Sequence, residues 1–371
     1  MKQRINLARL DSGLLGAVLL LVIVGIFLVF DASYAPLSDS GQSWWTTMAR
    51  QAIWGCVGLA AMWLASKVSF AFMRKWFRVA VVLSFVLLVI VLIPGIGVWR
   101  NGARSWFEIG PILLQPSEIV KIIVILLLAA GLSRARVFAR RRPRVWVTPL
   151  LIACALIALI ALERDLGTAA VTAGTCFFMF YAAGARKRYV LGTGIAMLVL
   201  GALVMTNVPH VKARVDAFRD PWSDQYGKGF QTVHSLIALG TGGLTGQGYC
   251  EGREKLYVPE PYTDYIFSST VGEELGFLGS IALLGLFGFV VYRGLDIARR
   301  SKSTYGNLLA VGLTTMIGLQ AIINIAVVTN SIPATGIPLP FVSYGGSSLV
   351  SMMIATGLLL SVSRQVNVEL E

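Results

Sequence analysis

"GLLGAVLLLVIVGIFLVF", residues 13–30, runs for 18 positions without a charged side chain. A stretch of that length crosses a bilayer as a helix. Lys2, Arg4 and Arg9 precede it and Ser33-Tyr34-Ala35 imitates a cleavage site, but the run is longer than the apolar core of a secretory leader and reads as a span. Similar runs follow near 51–66, 77–94, 117–133, 146–162, 167–184, 189–207, 265–292, 307–328 and 347–363. The 371 residues are 56% hydrophobic and 14% charged, with a mean hydropathy of +0.72. The expected architecture is therefore an all-α integral membrane protein of about ten transmembrane helices.

Charge orients it. Ten spans put both termini on one face, and 21 of the 32 lysines and arginines fall on that face: at 2–9, 67–78, 134–144, 186–188, 293–302 and 364. Short basic connections mark the cytoplasm, so both termini are expected there. The other basic residues lie mainly in one long loop between spans seven and eight, residues 208–263, read as extracytoplasmic. The net charge of +13 needs no nucleic acid to explain it, because it is divided among short loops and forms no continuous patch. Cys56, Cys154 and Cys176 lie in spans and only Cys250 lies outside, so no disulfide framework is expected. Residues 1–371 read as a single polytopic membrane domain with no soluble domain at either end.

Of the 19 acidic residues, 15 map to or near the outer face, which is where chemistry is expected. In "NGARSWFEIGPILLQPSEIVKI", residues 101–122, Ser117 is an N-cap candidate, and Glu118 and Lys121 can pair at i,i+3. In "LERDLGTAA", Asp165 would cap the sixth span. "VPEPYTDYIFSSTVGEELGFLG", residues 258–279, crowds Glu260, Asp264, Glu273 and Glu274 at the mouth of the eighth span. With a helix starting near Asp264, Glu273 and Glu274 would sit two to three turns inside it, where a carboxylate pair must face protein, water or a cation. "GTGGLTGQG", residues 240–248, reads as turns, since no Gly-Lys-Ser/Thr follows it. "NSIPATGIPLPFVSYGGSSL", residues 330–349, is too rich in proline and glycine to face lipid as a helix. It is expected to close over a site.

These stretches resemble the SEDS family (shape, elongation, division and sporulation; FtsW, RodA and SpoVE) across essentially the whole chain. Residues 101–121 are similar to its N-G-A-R-x-W and Q-P-S-E-x-x-K motifs. Residues 258–279 are similar to L-P-E-x-x-T-D-F-I-F with E-E-L-G, and residues 336–349 to G-x-P-L-P-F-x-S-Y-G-G-S-S. The loop wording is closer to FtsW and SpoVE than to RodA. The resemblance implies a peptidoglycan glycosyltransferase of the bacterial cytoplasmic membrane with an outward-facing site, joining lipid II into β-1,4 glycan strands and releasing undecaprenyl pyrophosphate. Partners implied are lipid II, the nascent strand and a class B penicillin-binding protein transpeptidase.

By position in the motif, Asp264 is the implied catalytic residue, as general base or as ligand of a divalent cation such as Mg or Mn, and Glu118 and Lys121 the implied supporting ion pair. Arg104, Arg253 and Lys255 are candidates for holding pyrophosphate on charge and placement, and Glu260, Asp165, Ser343 and Tyr344 are candidates for substrate binding. The chain departs from the family pattern at Glu163-Arg164, at His234 in place of a glutamine, and at Thr335 where division-type members carry lysine. Two other functions would suit the same membrane frame: a lipid II flippase, which needs polar residues across the full depth of the membrane, and a non-catalytic scaffold for a transpeptidase.

Overall fold

A computed structural model describes residues 10–39, 44–100, 102–110, 112–138, 144–258 and 260–368. The expected basic residues at 2–9 and 139–143, the first motif's Asn101, and Pro259 lie outside the described residues.

Every apolar run of the sequence falls on a helix: α1 (Ser12–Asp39), α2 (Trp44–Ser66), α3 (Phe70–Leu92), α4 (Pro116–Phe138), α5 (Arg144–Leu162), α6 (Leu166–Ala182), α7 (Lys187–Asn207), α10 (Gly276–Arg300), α11 (Thr304–Val328) and α12 (Gly346–Val368). Two further helices, α8 (Pro209–Arg219) and α9 (Phe230–Thr241), belong to the long loop. Among the described residues, seven helices are long and apolar enough to cross a membrane: α1, α3, α4, α7, α10, α11 and α12. The protein is thus a multi-span membrane protein. α5 and α6 contribute shorter apolar helices, Trp146–Leu162 and Leu166–Ala182, and α2 opens on the polar stretch Trp44–Gln51.

α4, α11 and α12 form the centre, with Ile125, Leu128, Leu309, Leu313, Met352 and Leu359 fully or almost fully buried. α2 lies close along α12 because small residues let the backbones approach. A β-carbon at Gly58 would lie 2.3 Å from Met353 Sδ, and one at Gly357 2.3 Å from the Met62 carbonyl. α7 is peripheral, with none of its described residues buried.

Two features depart from the expected all-helical layout. Residues 97–114 form a three-stranded antiparallel sheet, β1 (Gly97–Arg100), β2 (Ala103–Ile109) and β3 (Ile112–Leu114), between α3 and α4. Its turns place Gly102 and Gly110 at positive φ, and the Asn-Gly dipeptide at 101–102 is a strong hairpin signal that the apolar-run reading passed over.

The second departure is the eighth span. α10 does not begin near Asp264. A π-helical turn, Phe267–Gly272, comes first and the chain then breaks, with Gly276 at φ +65. Glu273 and Glu274 therefore sit at a break instead of on a continuous helix. The glycine-rich 242–248 segment clasps this break. Gln247 N–H donates to the Glu273 carbonyl (3.0 Å), Gly248 N–H to the Glu274 carbonyl (3.1 Å) and Phe277 N–H to the Gly243 carbonyl (3.0 Å). A β-carbon at Gly246 would lie 1.9 Å from the Glu274 carbonyl oxygen, so the glycines serve close backbone approach.

Candidate active site

Asp264 stands at the end of a turn in which Thr263 N–H donates to the Glu260 carbonyl at 3.0 Å, with Thr263 Oγ1 2.8 Å from the same oxygen. Glu260 takes φ +47 and its side chain is exposed. The Asp264 carboxylate is half-buried and accepts from Thr263 Oγ1 at 2.6 Å. Burial pushes its pKa above the usual carboxylate range, while the Thr263 hydroxyl and the Arg214 charge act in the other direction. A β-carbon at Gly336 would lie 3.9 Å from Asp264 Oδ2. The irregular 330–345 segment thus passes over the carboxylate, and the backbone there carries no side chain.

Bonds from several surrounding elements hold that segment. Asn324 Nδ2 on α11 donates to the carbonyls of both Asp264 and Ile337, each at 2.8 Å. Tyr344 N–H donates to the Tyr262 carbonyl at 2.8 Å, and the two rings meet edge to face at 5.4 Å. Arg214 Nη1 on α8 donates to the Ala334 carbonyl at 3.4 Å. Ser343 folds inward, its hydroxyl accepting from Leu339 N–H at 3.0 Å and its carbonyl from Gln51 Nε2 at 3.2 Å. Ser343 and Tyr344 therefore shape the cover through their backbones.

Below this lies a buried polar chain. Lys121 Nζ donates to Glu118 Oε1 (2.9 Å) and to Gln320 Oε1 (2.8 Å), and Ser351 Oγ donates to Glu118 Oε2 (2.8 Å). Gln320 Nε2 reaches the Pro338 carbonyl at 3.1 Å, joining the ion pair to the segment over Asp264. Asp165 caps α6 through Thr168 N–H (3.0 Å) and also accepts from Gln115 Nε2 (2.7 Å). Its role is a helix cap tied to the start of α4. Glu163 is fully buried and neither carboxyl oxygen has a partner among the described residues. Burial and the Asp165 charge push its pKa up to about 9, so it is carried as the neutral acid.

The expected pyrophosphate cations do not converge. Lys255 is 2% exposed, with its ammonium 2.5 Å from both Asp31 Oδ1 and Glu274 Oε1. An ammonium enclosed by two buried carboxylates is not presented to a ligand, and this corrects its expected placement. Arg253 is exposed, and its amide donates to Glu273 Oε1 at 2.8 Å. Arg104 reaches the Leu92 carbonyl at 3.3 Å, and its guanidinium and that of Arg164 lie 5.2 and 5.1 Å from the Trp99 ring.

Glu273 and Glu274 are likewise structural. The amides of Cys250 and Gly252 donate to Glu274 (2.8 and 3.1 Å), and those of Arg253 and Glu254 to Glu273. His234 pairs with Glu254 at 2.5 Å. Sequence reasoning missed Arg214, Gln320 and Asn324. The last two were legible as a polar i,i+4 pair in an apolar helix; Arg214 carried no signal beyond being one cation of a long loop.

Among the described residues no group of three or more His, Cys, Asp or Glu side chains could hold a metal ion. Asp264 alone offers a Mg2+-type ion one carboxylate, which suffices only where substrate phosphates supply further oxygens.

A many-helix membrane frame, with an irregular proline- and glycine-rich cover folded over one half-buried aspartate, defines a membrane-embedded protein with a site at one end of its bundle. The chain belongs to the cell cycle protein family FtsW/RodA/SpoVE, matched over residues 12–368. It is 41% identical to stage V sporulation protein E of Bacillus subtilis over 93% of this chain and 94% of that protein. It is 35% identical to the probable peptidoglycan glycosyltransferase FtsW of Geobacter metallireducens over 96% of each. Its structure matches a chain from a peptidoglycan synthase complex that coordinates polymerization and crosslinking, with a TM-score of 0.80 and 30% identity over 96% of this chain and 98% of that one. It also matches the rod shape determining protein RodA of Thermus thermophilus, with a TM-score of 0.69 and 28% identity over 96% and 97%.

Proposed function

We propose that this chain is a peptidoglycan glycosyltransferase that polymerises lipid II at the outer face of the cytoplasmic membrane. The observation that carries the reading is the half-buried Asp264 carboxylate, held by the Thr263 hydroxyl under a glycine-bearing cover, in a chain whose relatives are named glycosyltransferases. The frame consists of about ten spans with both termini in the cytoplasm, the 208–263 loop lies outside, and the polyprenyl tail of the substrate stays in lipid while its headgroup reacts beneath that loop.

In the transfer, the acceptor sugar hydroxyl forms a bond to the donor's anomeric carbon as the bond from that carbon to pyrophosphate breaks. The hydroxyl proton passes to Asp264, whose raised basicity suits it to that role, and the electron pair leaves with undecaprenyl pyrophosphate. Arg214, whose charge already acts on Asp264, is the cation best placed to offset charge developing on the leaving group. In its alternative role Asp264 would be a ligand of a divalent cation such as Mg or Mn, which would supply positive charge toward the leaving pyrophosphate. A class B penicillin-binding protein is the partner that cross-links the product.

The test is gel analysis of glycan chains formed from purified lipid II by detergent-solubilised protein, with and without a cognate transpeptidase and Mg2+. Wild type should polymerise and a folded Asp264→Asn variant should lose at least about 10²-fold. Polymer from both would remove Asp264 from the chemistry. Polymer from neither under all conditions would favour a flippase or a scaffold.

A further inference from the structure

At the end of the bundle opposite Asp264, the start of α3, the end of α4 and the start of α11 enclose a cavity of about 310 Å3, lined by Arg74, Ala130, Ser133, Arg134, Ser303, Thr304 and Tyr305. The short basic connections of the chain cluster at this end. The cavity lies outside everything used for glycosyl transfer, and its chemistry is of one sign. No carboxylate lines it, and neither arginine is ion-paired among the described residues. The Arg74 guanidinium stacks 4.5 Å from the Tyr305 ring centroid, which holds it at the wall.

Tyr305 is 1% exposed and gives the cavity a fixed wall against which the Arg74 guanidinium rests. Ser303 caps α11 by accepting from Gly306 N–H, and the first amides of a helix point out of it with no intrahelical acceptor. Two guanidiniums and a helix start around one space that no carboxylate lines make a phosphate site.

The rim indicates where the phosphate comes from. At the same level of α3 but on its far face, two residues to either side of Arg74, Phe72 and Trp76 are 56% and 47% exposed, with Lys75 Nζ 5.7 Å from the Trp76 ring. Exposed aromatics next to basic side chains mark the level of lipid headgroups. Basic pockets between spans at the inner face suit acidic headgroups. We infer that this cavity binds the phosphate of an anionic phospholipid headgroup from the inner leaflet. The placement in that leaflet rests on the orientation proposed above; the binding chemistry does not.

Native mass spectrometry of the detergent-purified full chain, titrated with phosphatidylglycerol or phosphatidylcholine, tests the site without depending on catalysis or orientation. Wild type should retain phosphatidylglycerol in preference to phosphatidylcholine. The Arg74→Gln/Arg134→Gln pair should weaken retention about tenfold or more. Lys187→Gln/Arg188→Gln, which removes two charges at the same end, should change it less than about twofold. A control pair that loses as much as the cavity pair, or cavity variants that bind as wild type, would overturn the site. Stabilisation by inorganic phosphate with the same variant dependence, and no preference between lipids, would keep the phosphate site and overturn the lipid as its source.

Discussion

Lys255→Met tests whether the cation nearest the Asp264 motif in sequence is structural or catalytic. Lys255 Nζ is held by Asp31 on α1 and Glu274 at the α10 break, with all three side chains at 2% exposure or less. Removing it leaves two carboxylates facing each other away from water, and deleting one partner of a buried ion pair costs about 3–5 kcal/mol. Asp31→Asn is milder, because Lys255 keeps Glu274 and only one charge-assisted bond is lost, at about 1.5–3 kcal/mol. In the double variant Glu274 still accepts from the amides of Cys250 and Gly252, so the stranded charge is relieved. The double variant should therefore be less destabilised than the two single variants added together, by about 1–3 kcal/mol.

Unfolding in mixed micelles followed by tryptophan fluorescence gives the stabilities, and lipid II polymerisation by the folded fraction gives KM and kcat. The structural account expects a large loss of stability with an unchanged KM. A Lys255→Met protein within about 0.5 kcal/mol of wild type, or one that is stable but has a KM raised tenfold, would refute the reasoning and return Lys255 to the pyrophosphate.

Three further outcomes follow from the site. Because a general base works deprotonated and burial raises the Asp264 pKa, polymerisation should climb with pH through a value above the usual carboxylate range. Arg214→Gln removes a charge that lowers that pKa and should move the rising limb of the pH-rate profile to higher pH; a limb that stays or moves down would count against the pairing. Gly336→Ala places a side chain on a φ of +72 and a methyl near the 3.9 Å contact with Asp264. It should cost about 1–2 kcal/mol and lower kcat/KM well beyond what the melting shift accounts for. Gln320→Leu leaves Lys121 short of one buried acceptor and should lower stability by about 1–3 kcal/mol, read in the same unfolding assay.

The helices were legible because a bilayer demands long apolar runs, and each run became a helix except the eighth, which breaks before Gly276. What periodicity and hydropathy could not reveal was how four carboxylates of the 258–279 stretch divide their work. Glu260, Asp264, Glu273 and Glu274 look alike in sequence. Their fates depend on the amides of residues 250–254, which reach Glu273 and Glu274 only because glycines at 242–248 let that loop close on the α10 break. The Glu118–Lys121 pairing was visible as an i,i+3 spacing on α4. Its extension to Gln320 was not, since a link across 199 positions of sequence leaves no local trace. Lys255 misled for the same reason, because its second carboxylate, Asp31, stands 224 residues away, immediately after the first apolar run.

That division of labour bears on how one aspartate can be singled out. Glu273 and Glu274 take up backbone amides and a lysine and so anchor the loop that leads into the Glu260–Thr263 turn. Asn324 then fixes the backbone of Asp264, and the side chain that bonds its carboxylate is Thr263. A carboxylate whose oxygens are not taken up by a lysine and several loop amides keeps room for a substrate proton, which Glu273 and Glu274 do not. The amide-rich environment around Glu273 and Glu274 and the room left at Asp264 are two results of the same loop closure. A substitution that opens the clasp, such as Gly246→Val against the Glu274 carbonyl, should therefore depress polymerisation through Asp264 although it touches no group at the site.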